Sequence, residues 1–255
     1  MRYYVIADPH GFYTETRKAL EEAGFFADTR PHKLIICGDL LDRGGEPQEM
    51  VNFVMDLMDK NQVILIKGNH EDLFQDLVLK DDGRALHHHR HNGTWATAVQ
   101  LTGMELRAAR RFHSQLAERG RKTDFYRYVM PMAKDYYETE HYIFVHGWVP
   151  CNGDEFTGYT SFDWREISDP FAKIQMWESA RWINGMRAAH DGVKESGKTV
   201  VCGHHHTSFG HANYEYDGPE FGERSIFTPY YGDGIIALDA CTAYSGFVNC
   251  IVLED

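Results

Sequence analysis

Six short apolar runs in the chain each end at residue types that bind metals or phosphate. The runs end at Asp8-Pro9-His10, Asp39, Lys67-Gly68-Asn69-His70, His146, His204-His205-His206 and Asp239. Carboxylate oxygens, imidazole nitrogens and an amide oxygen suit divalent ions such as Mn, Fe, Zn or Mg. The absence of any Cys-x-x-Cys pair disfavours a structural zinc site. The pattern therefore predicts a catalytic metal site.

The number of candidate ligands indicates two metal ions. The candidates are Asp8, His10, Asp39, Asn69, His146, His204 and His206. Seven ligands are too many for one ion that keeps an open position, but they suit two ions about 3.5–4 Å apart. One carboxylate must then bridge the ions, and Asp39 lies centrally in the set. A water between two such ions loses its proton near neutral pH and becomes a nucleophile for phosphorus.

The spacing of the apolar runs predicts the elements that position these ligands. Continuous apolar runs are typical of strands buried on both faces. Helical patterns lie between them, over 14–23, from Pro47 and from Pro170. This alternation predicts a layered α/β fold, in which ligands gather at strand ends. The turn signal Tyr244-Ser245-Gly246 predicts an antiparallel hairpin between strands at 234–239 and 247–253.

The stretch over about 72–140 interrupts this alternation. It has a largely helical pattern, is rich in charge and His, and lies between two ligand-bearing strands. We interpret residues 1–255 as a single domain in which this stretch is an inserted helical cap. The run His87–His91 within it is expected to be solvated rather than to bind a metal. The tryptophans at 148, 164, 177 and 182 are expected to pack in the core or the cap.

The composition limits the partners. Lys plus Arg is 26 and Asp plus Glu is 38, so the formal charge is 26 − 38 = −12. This disfavours nucleic acid and membrane partners, which attract clustered cations, but allows a small phosphorylated substrate beside a metal. The five cysteines include no motif pair, the chain enters a strand at once, and no apolar stretch approaches the roughly 20 residues of a membrane span. A cytoplasmic location is expected.

Five ordered motifs resemble those of the calcineurin-like metallophosphoesterase superfamily. They are Asp8-x-His10, Gly38-Asp39-x-x-Asp42-Arg43-Gly44, Gly68-Asn69-His70-Glu71, His146-Gly147 and Gly203-His204-x-His206. The resemblance is greatest to the bacterial and phage-type Ser/Thr protein phosphatase branch. The features shared with that branch are Asp42-Arg43-Gly44, Glu71, Asn92-Gly93-Thr94, Leu238-Asp239-Ala240-Cys241 and Leu253-Glu254.

The resemblance implies a fold and a metal assignment. The fold would be a four-layered α/β/β/α sandwich of two mixed sheets with the helical cap inserted. One metal would be held by Asp8, His10 and Asp39. The other would be held by Asp39 together with Asn69, His146 and His204. His206 would add a ligand to the first metal, a position where the protein phosphatase branch usually lacks His.

Chemistry at the site can be assigned to further residues. His70 is the natural general acid for the departing alkoxide, and Asp42 is placed to orient its imidazole. Arg43 offers a planar fork for two phosphate oxygens. The other candidate substrate-binding residues are Lys67, Asn92 and Arg181. Lys67 stands where the resembled branch usually has Arg.

These residues predict a phosphoesterase dependent on two divalent ions, with Mn preferred and Fe, Zn or Mg allowed. The expected substrates are phosphomonoesters, either a phosphoserine or phosphothreonine protein or a small phosphoester. A dinucleoside polyphosphate hydrolase, such as one acting on diadenosine tetraphosphate, is the alternative enzyme. A phosphodiesterase or nuclease ranks third because of the acidic charge. A metal-binding scaffold without activity is the non-enzymatic alternative. The sequence leaves the oligomeric state open.

Overall fold

The first of two main sheets is built from the apolar runs of the N-terminal half and the C-terminal strand. The computed structural model describes residues 1–80 and 86–255. The strands of this sheet are β1 (Arg2–Ile6), β2 (His32–Cys37), β3 (Val63–Ile66) and β11 (Cys250–Glu254). The order is β11-β1-β2-β3, with β11 antiparallel to β1 and the other neighbours parallel. The sheet is therefore mixed.

The second sheet is also mixed. Its strands are β4 (Tyr137–Glu138), β5 (Tyr142–Phe144), β8 (Thr199–Cys202), β9 (Tyr230–Gly232) and β10 (Ile235–Ala237). The order is β4-β5-β8-β10-β9, with β5, β8 and β10 parallel and the two edge strands antiparallel to their neighbours. A separate small hairpin joins β6 (Asn152–Asp154) and β7 (Gly158–Thr160).

Helices connect the strands, and several of them pack on the outer faces of the two sheets. They are α1 (Tyr13–Glu22), α2 (Pro47–Asp59), α3 (Asn69–Leu79), α4 (Leu86–His91), α5 (Thr94–Thr102), α6 (Leu106–Arg111), α7 (His113–Gly120), α8 (Pro170–Ala180), α9 (Gly185–His190), α10 (Ser208–Gly210) and α11 (Thr242–Ser245). Short 3₁₀ or π segments occupy Phe25–Ala27, Phe125–Val129, Met130–Met132, Trp164–Glu166 and His211–Glu215. The predicted helices at 14–23, from Pro47 and from Pro170 correspond to α1, α2 and α8.

Side-chain alternation along the strands produces the layers. In β1, Tyr3 and Val5 pack into the core between the two sheets, whereas Tyr4 and Ile6 pack into the core under the helices of the first sheet. A third core lies between the second sheet and its helices and includes Trp148 and Trp177. Each fully buried large apolar side chain contributes about 1.5–3 kcal/mol relative to exposure. The three cores separate four layers, so the predicted four-layered α/β/β/α architecture is confirmed.

The helices between β3 and β4 pack on the first sheet's helical layer. Phe74 of α3 and Leu116 of α7 are buried in the same core as Val54 of α2. At the carboxyl ends of the strands, Asn92, which follows α4, lines a cavity, and Thr94, the first residue of α5, hydrogen-bonds to Asp42.

The predicted hairpin between residues 234–239 and 247–253 is wrong. The strand β10 lies in the second sheet, whereas β11 pairs with β1 in the first. The residues of the expected turn instead form α11, which ends at Gly246 with φ of +77°. The helical turn carries the chain from one sheet to the other, so the turn signal marked a crossing between layers.

No helix within 1–80 and 86–255 is both long and apolar enough to cross a membrane.

Candidate metal centre

Each sheet has three parallel strands, and the carboxyl ends of these strands bring the candidate ligands to one edge of the sandwich. Within the described residues, eight residues other than Gly have positive φ. Six of them belong to strand-end loops, namely Asp8, His10, Asp39, Asp42, His204 and Cys241. A positive φ costs free energy for these residue types, and such costs concentrate at functional sites. The strand-end loops are therefore held in conformations that packing alone does not favour.

Asp39 is shared by two clusters of possible metal ligands. One cluster contains His10, Asp39 and His70, and the other contains Asp39, His146 and His204, with the ligand atoms of each cluster within 4.8 Å of one another. The two carboxylate oxygens face different clusters. Oδ2 lies 3.7 Å from His10 Nε2, and Oδ1 lies 3.3 Å from His146 Nε2. This geometry suits a carboxylate that bridges two ions.

Backbone hydrogen bonds fix the tautomers of two histidines. His10 Nδ1 donates to the carbonyl of Leu41 and His146 Nδ1 donates to that of Cys37, each at 2.9 Å. Burial lowers the pKa of both imidazoles well below the ordinary value, so both are neutral. Their Nε2 atoms consequently carry lone pairs directed at the site. This arrangement, in which a backbone carbonyl orients the ring, is common around metal-binding histidines.

Several acceptor atoms face one another in the second cluster. His146 Nε2 lies 2.8 Å from Asn69 Oδ1, and His204 Nδ1 lies 3.1 Å from the same oxygen. Burial also lowers the pKa of His204, to about 4, while its ring hydrogen-bonds to the backbone of Trp182. Two neutral imidazole lone pairs and an amide oxygen therefore converge with no proton to share. A cation between them removes this repulsion, so the donor set fits a metal ion.

Buried carboxylates add negative charge to the same edge. Burial raises the pKa of Asp8, Asp39 and Asp239, and that of Asp39 reaches about 7. The carboxylate of Asp8 accepts the backbone N–H of His204 at 2.9 Å. In the described part of the chain, no Lys or Arg forms an ion pair with these three carboxylates. Buried, unpaired carboxylates are costly, and divalent cations are the natural compensation.

His70 and Asp42 form a hydrogen-bonded pair beside this centre. His70 Nδ1 lies 2.8 Å from Asp42 Oδ2, and both side chains are buried. Burial lowers the pKa of His70, but the Asp39 carboxylate and the Asp42 hydrogen bond outweigh this effect and raise it to about 9. The imidazole is therefore protonated at neutral pH and carries a proton on Nε2, 3.7 Å from Asp39 Oδ2. This is the protonation state that a general acid needs.

Glu71 hydrogen-bonds to backbone groups in two segments of the centre. Its carboxylate accepts the backbone N–H groups of Asp39, Leu40 and Gly68 at 3.1, 3.0 and 2.7 Å. These three bonds connect the loop after β2 to the start of α3. Hydrogen bonds to a charged acceptor are stronger than neutral ones, so Glu71 stabilises the loop that carries Asp39.

A cavity of about 250 Å³ opens over the centre. Its walls are formed by His10, Asp39, Arg43, Asn69, His70, Asn92, Trp182, His204, His206, Asp239, Cys241, Thr242 and Ala243. The guanidinium of Arg43 is exposed at this cavity, and among the described residues no carboxylate pairs with it. Asn92 reaches the cavity from the helical stretch between β3 and β4. Both residues therefore face the cavity.

Three of the predicted site residues have other neighbours. His206 lines the cavity, but its Nε2 lies 2.7 Å from Glu220 Oε1, and the residue belongs to neither ligand cluster. Lys67 and Arg181 both form ion pairs with Asp72, and Arg181 also pairs with Asp135. Neither residue lines the cavity. The structure thus brings six of the seven candidate ligands together and places two candidate phosphate contacts outside the cavity wall.

Sequence reasoning left several cavity or support residues without a role. Asp239 ends the sixth apolar run, and Glu71 follows the Asn-His pair, so both carried a positional signal. Trp182, expected to pack internally, is 47% exposed and lines the cavity. Cys241 also lines the cavity, but burial raises the pKa of its thiol to about 11. A protonated thiol is a poor nucleophile. The histidines of α4 belong to no ligand cluster within the described ranges.

The family of the chain follows from comparison with known proteins. Residues 1–237 match the model of the calcineurin-like phosphoesterases. The chain therefore belongs to that family, as its motifs predict.

Individual relatives cover less of the chain. A symmetrical bis(5'-nucleosyl)-tetraphosphatase of Buchnera aphidicola subsp. Acyrthosiphon pisum (strain Tuc7) is 39% identical over 71 residues, 28% of this chain and 24% of the relative. The asymmetrical bis(5'-nucleosyl)-tetraphosphatase PrpE of Bacillus subtilis (strain 168) is 32% identical over 76 residues, 28% of this chain and 31% of the relative. The chain thus matches about a quarter to a third of the length of these relatives.

A solved structure extends the likeness over the whole chain. The cold-active protein-tyrosine phosphatase of a psychrophilic Shewanella sp. aligns with a TM-score of 0.53 and 14% identity, covering 100% of this chain and 75% of that one. At this identity the likeness establishes the shared fold.

Proposed function

We propose that the protein hydrolyses phosphomonoesters with two divalent metal ions, as a phosphatase of the Ser/Thr protein phosphatase type. The observation that carries this proposal is the position of Asp39. Its two carboxylate oxygens face two ligand clusters, one containing His10 and the other His146 and His204. Membership of the calcineurin-like phosphoesterase family supports the same conclusion.

The ligand assignment that we propose is the one that the family resemblance implies. Asp8, His10 and Asp39 would hold one ion, and Asp39 with Asn69, His146 and His204 would hold the other, while His206 would complete the first. Ions held there would supply Lewis-acid activation of water and neutralisation of phosphoryl oxygens. The mixed imidazole and carboxylate donors accept Mn, Fe, Zn or Mg, and Mn is the ion to test first.

The chain's own residues supply the remaining steps. Arg43 binds phosphoryl oxygens at the cavity wall, assisted by Asn92. His70 holds a proton on Nε2 and donates it to the leaving oxygen, while Asp42 fixes the ring through Nδ1. Lys67 and Arg181 contribute to substrate binding only if a phosphate displaces Asp72 from them. We further propose that residues 72–140 act as the cap of the single domain, because Asn92 approaches the cavity from this stretch.

Hydrolysis of 4-nitrophenyl phosphate with added Mn²⁺ tests the proposal. We expect turnover that a chelator abolishes. For phenyl phosphate, whose leaving group must be protonated, His70→Ala should lower the rate by about 10²-fold or more. His190→Ala, at an exposed position outside the cavity, is the matched control and should retain the activity. Absence of metal-dependent turnover in the wild-type protein would support the inactive scaffold instead.

A second candidate function is hydrolysis of dinucleoside polyphosphates such as diadenosine tetraphosphate. The names of the curated relatives favour it, as does the exposed indole of Trp182 at the cavity, which offers a stacking surface for a base. Comparison of a phosphopeptide with diadenosine tetraphosphate at equal concentration separates the two. If the dinucleotide is preferred, Trp182→Ala should raise its KM and leave that of 4-nitrophenyl phosphate unchanged.

The remaining proposals concern the cellular compartment and the partners of the protein. All five cysteines are free, which is typical of a reducing compartment such as the cytoplasm. The net charge of −12 supports a phosphoprotein or small phosphoester as substrate and disfavours nucleic acid and anionic membranes as partners.

A further inference from the structure

The carboxylate of Asp42 has a second hydrogen-bond donor besides His70. Thr94 Oγ1 donates to Asp42 Oδ2 at 2.7 Å, and His70 Nδ1 donates to the same oxygen at 2.8 Å. The Thr94 side chain is fully buried, at 0% exposure. A buried hydroxyl that has a single charged acceptor makes a strong and directional bond.

The backbone next to Thr94 also lies very close to the backbone of Asp42. Gly93 has φ of +89°, and a Cβ built on it would lie 1.6 Å from the carbonyl oxygen of Asp42. The start of α5 is therefore pressed against the loop after β2. Asp42 itself has φ of +106°, a conformation that needs support from its neighbours. The helical stretch supplies that support through both the backbone and the Thr94 hydroxyl.

We propose that Thr94 is a positioning residue for proton donation by His70. Its hydroxyl fixes the rotamer of the Asp42 carboxylate so that Oδ2 faces His70 Nδ1. The ring is then held with Nε2 toward the cavity, where the leaving oxygen departs. Without the hydroxyl, Oδ2 has one donor, and the carboxylate is free to rotate away from the line of Nδ1. This inference rests on the proposed phosphatase function, but the contact itself can be tested without turnover.

The kinetic test uses the dependence of rate on the leaving group. Thr94→Val removes the hydroxyl and keeps the shape, whereas Thr94→Ser keeps the hydroxyl. Thr97→Val is the matched control, since Thr97 is also buried on α5 and has no hydrogen bond to Asp42 among the described residues. A phenyl or seryl leaving group needs protonation, and 4-nitrophenolate does not.

We expect Thr94→Val to lower kcat about tenfold for phenyl phosphate and a phosphoserine peptide, with KM unchanged, because a hydrogen bond to a charged group is lost. The rate for 4-nitrophenyl phosphate should change less than about twofold. Thr94→Ser and Thr97→Val should retain the wild-type rates for all three substrates. An equal loss for every leaving group would indicate a merely structural role and overturn the proposal.

A spectroscopic test is independent of metal and activity. In the metal-free protein, the Nδ1–H proton of His70 should give a downfield NMR signal from its hydrogen bond to Asp42, assigned by its loss in His70→Ala. We expect Thr94→Val to shift or broaden this signal and Thr94→Ser to keep it. An unchanged signal in Thr94→Val overturns the proposal even if the wild-type protein has no turnover, which would separately refute the proposed function. If Thr94→Val does not fold, Thr94→Ala against Thr94→Ser provides the same comparison.

Discussion

Replacing Asp39 with Asn is predicted to stabilise the metal-free protein while destroying its metal centre. Burial raises the pKa of the Asp39 carboxyl from its ordinary value of 3.8 to about 7. Between these values the folded state binds more protons than the unfolded state, so stability falls as pH rises through this window. The carboxylate thus destabilises the metal-free fold at neutral and higher pH, and Asn removes that cost.

The expected magnitude follows from this pKa. A difference between about 7 and 3.8 corresponds to at most about 4 kcal/mol at about pH 8. Loss of the attraction between Asp39 and protonated His70, 3.7 Å apart, offsets part of this gain. We therefore expect Asp39→Asn to be more stable than wild type by about 2 kcal/mol at about pH 8, with the difference vanishing toward about pH 4.

The assay is urea denaturation of both proteins in chelator, at several pH values. Asp56→Asn serves as a control, because the Asp56–Lys60 pair is exposed and worth less than about 1 kcal/mol. Added Mn²⁺ should reverse the order, since an ion at 100 times its Kd stabilises the wild type by about 2.7 kcal/mol. A metal-free Asp39→Asn variant that is no more stable than wild type at any pH would refute this reasoning.

Two further predictions concern the supports of the centre. Gly93→Ala should destabilise the fold by about 3 kcal/mol or more, because its Cβ would collide with Asp42 and φ is +89°. Gly103→Ala, with φ of +60° and no atom within 4 Å of the added Cβ, should cost about 1 kcal/mol, and equal urea midpoints for the two variants would contradict the contact. Glu71→Gln should lower the free energy of unfolding by about 2 kcal/mol, because one of the two oxygens that accept backbone N–H groups becomes an NH2 group and leaves at least one buried N–H unpaired. Thermal denaturation in chelator measures this effect, and an unchanged transition would show that the three bonds contribute little.

Much of the fold was predictable because local pattern and tertiary position agree. The apolar runs became strands with alternate residues in different cores, as Tyr3 and Tyr4 show. The carboxyl ends of parallel strands then had to meet, which placed Asp8, Asp39 and His146 together. The crossing at Thr242–Ser245 was not predictable, since a turn signal does not reveal whether the next strand joins the same sheet.

The meeting of most candidate ligands at one edge of the sheets was predictable, whereas the residues that support them were not. Asp39 was expected at the centre and lies between the two clusters. The bond from Thr94 to Asp42 joins residues 52 positions apart, and the pairing of His206 with Glu220 depends on how a loop folds back. Such contacts follow from three-dimensional packing, which local sequence patterns do not encode. The same holds for Trp182, whose exposure reflects the shape of the cavity wall.

The most direct test is anomalous diffraction at the manganese edge from crystals of the protein soaked in Mn²⁺. We predict two peaks, one on each side of the Asp39 carboxylate, one beside His10 and the other beside Asn69, His146 and His204. A single peak, no peak, or imidazoles turned away from the density would contradict the two-metal centre.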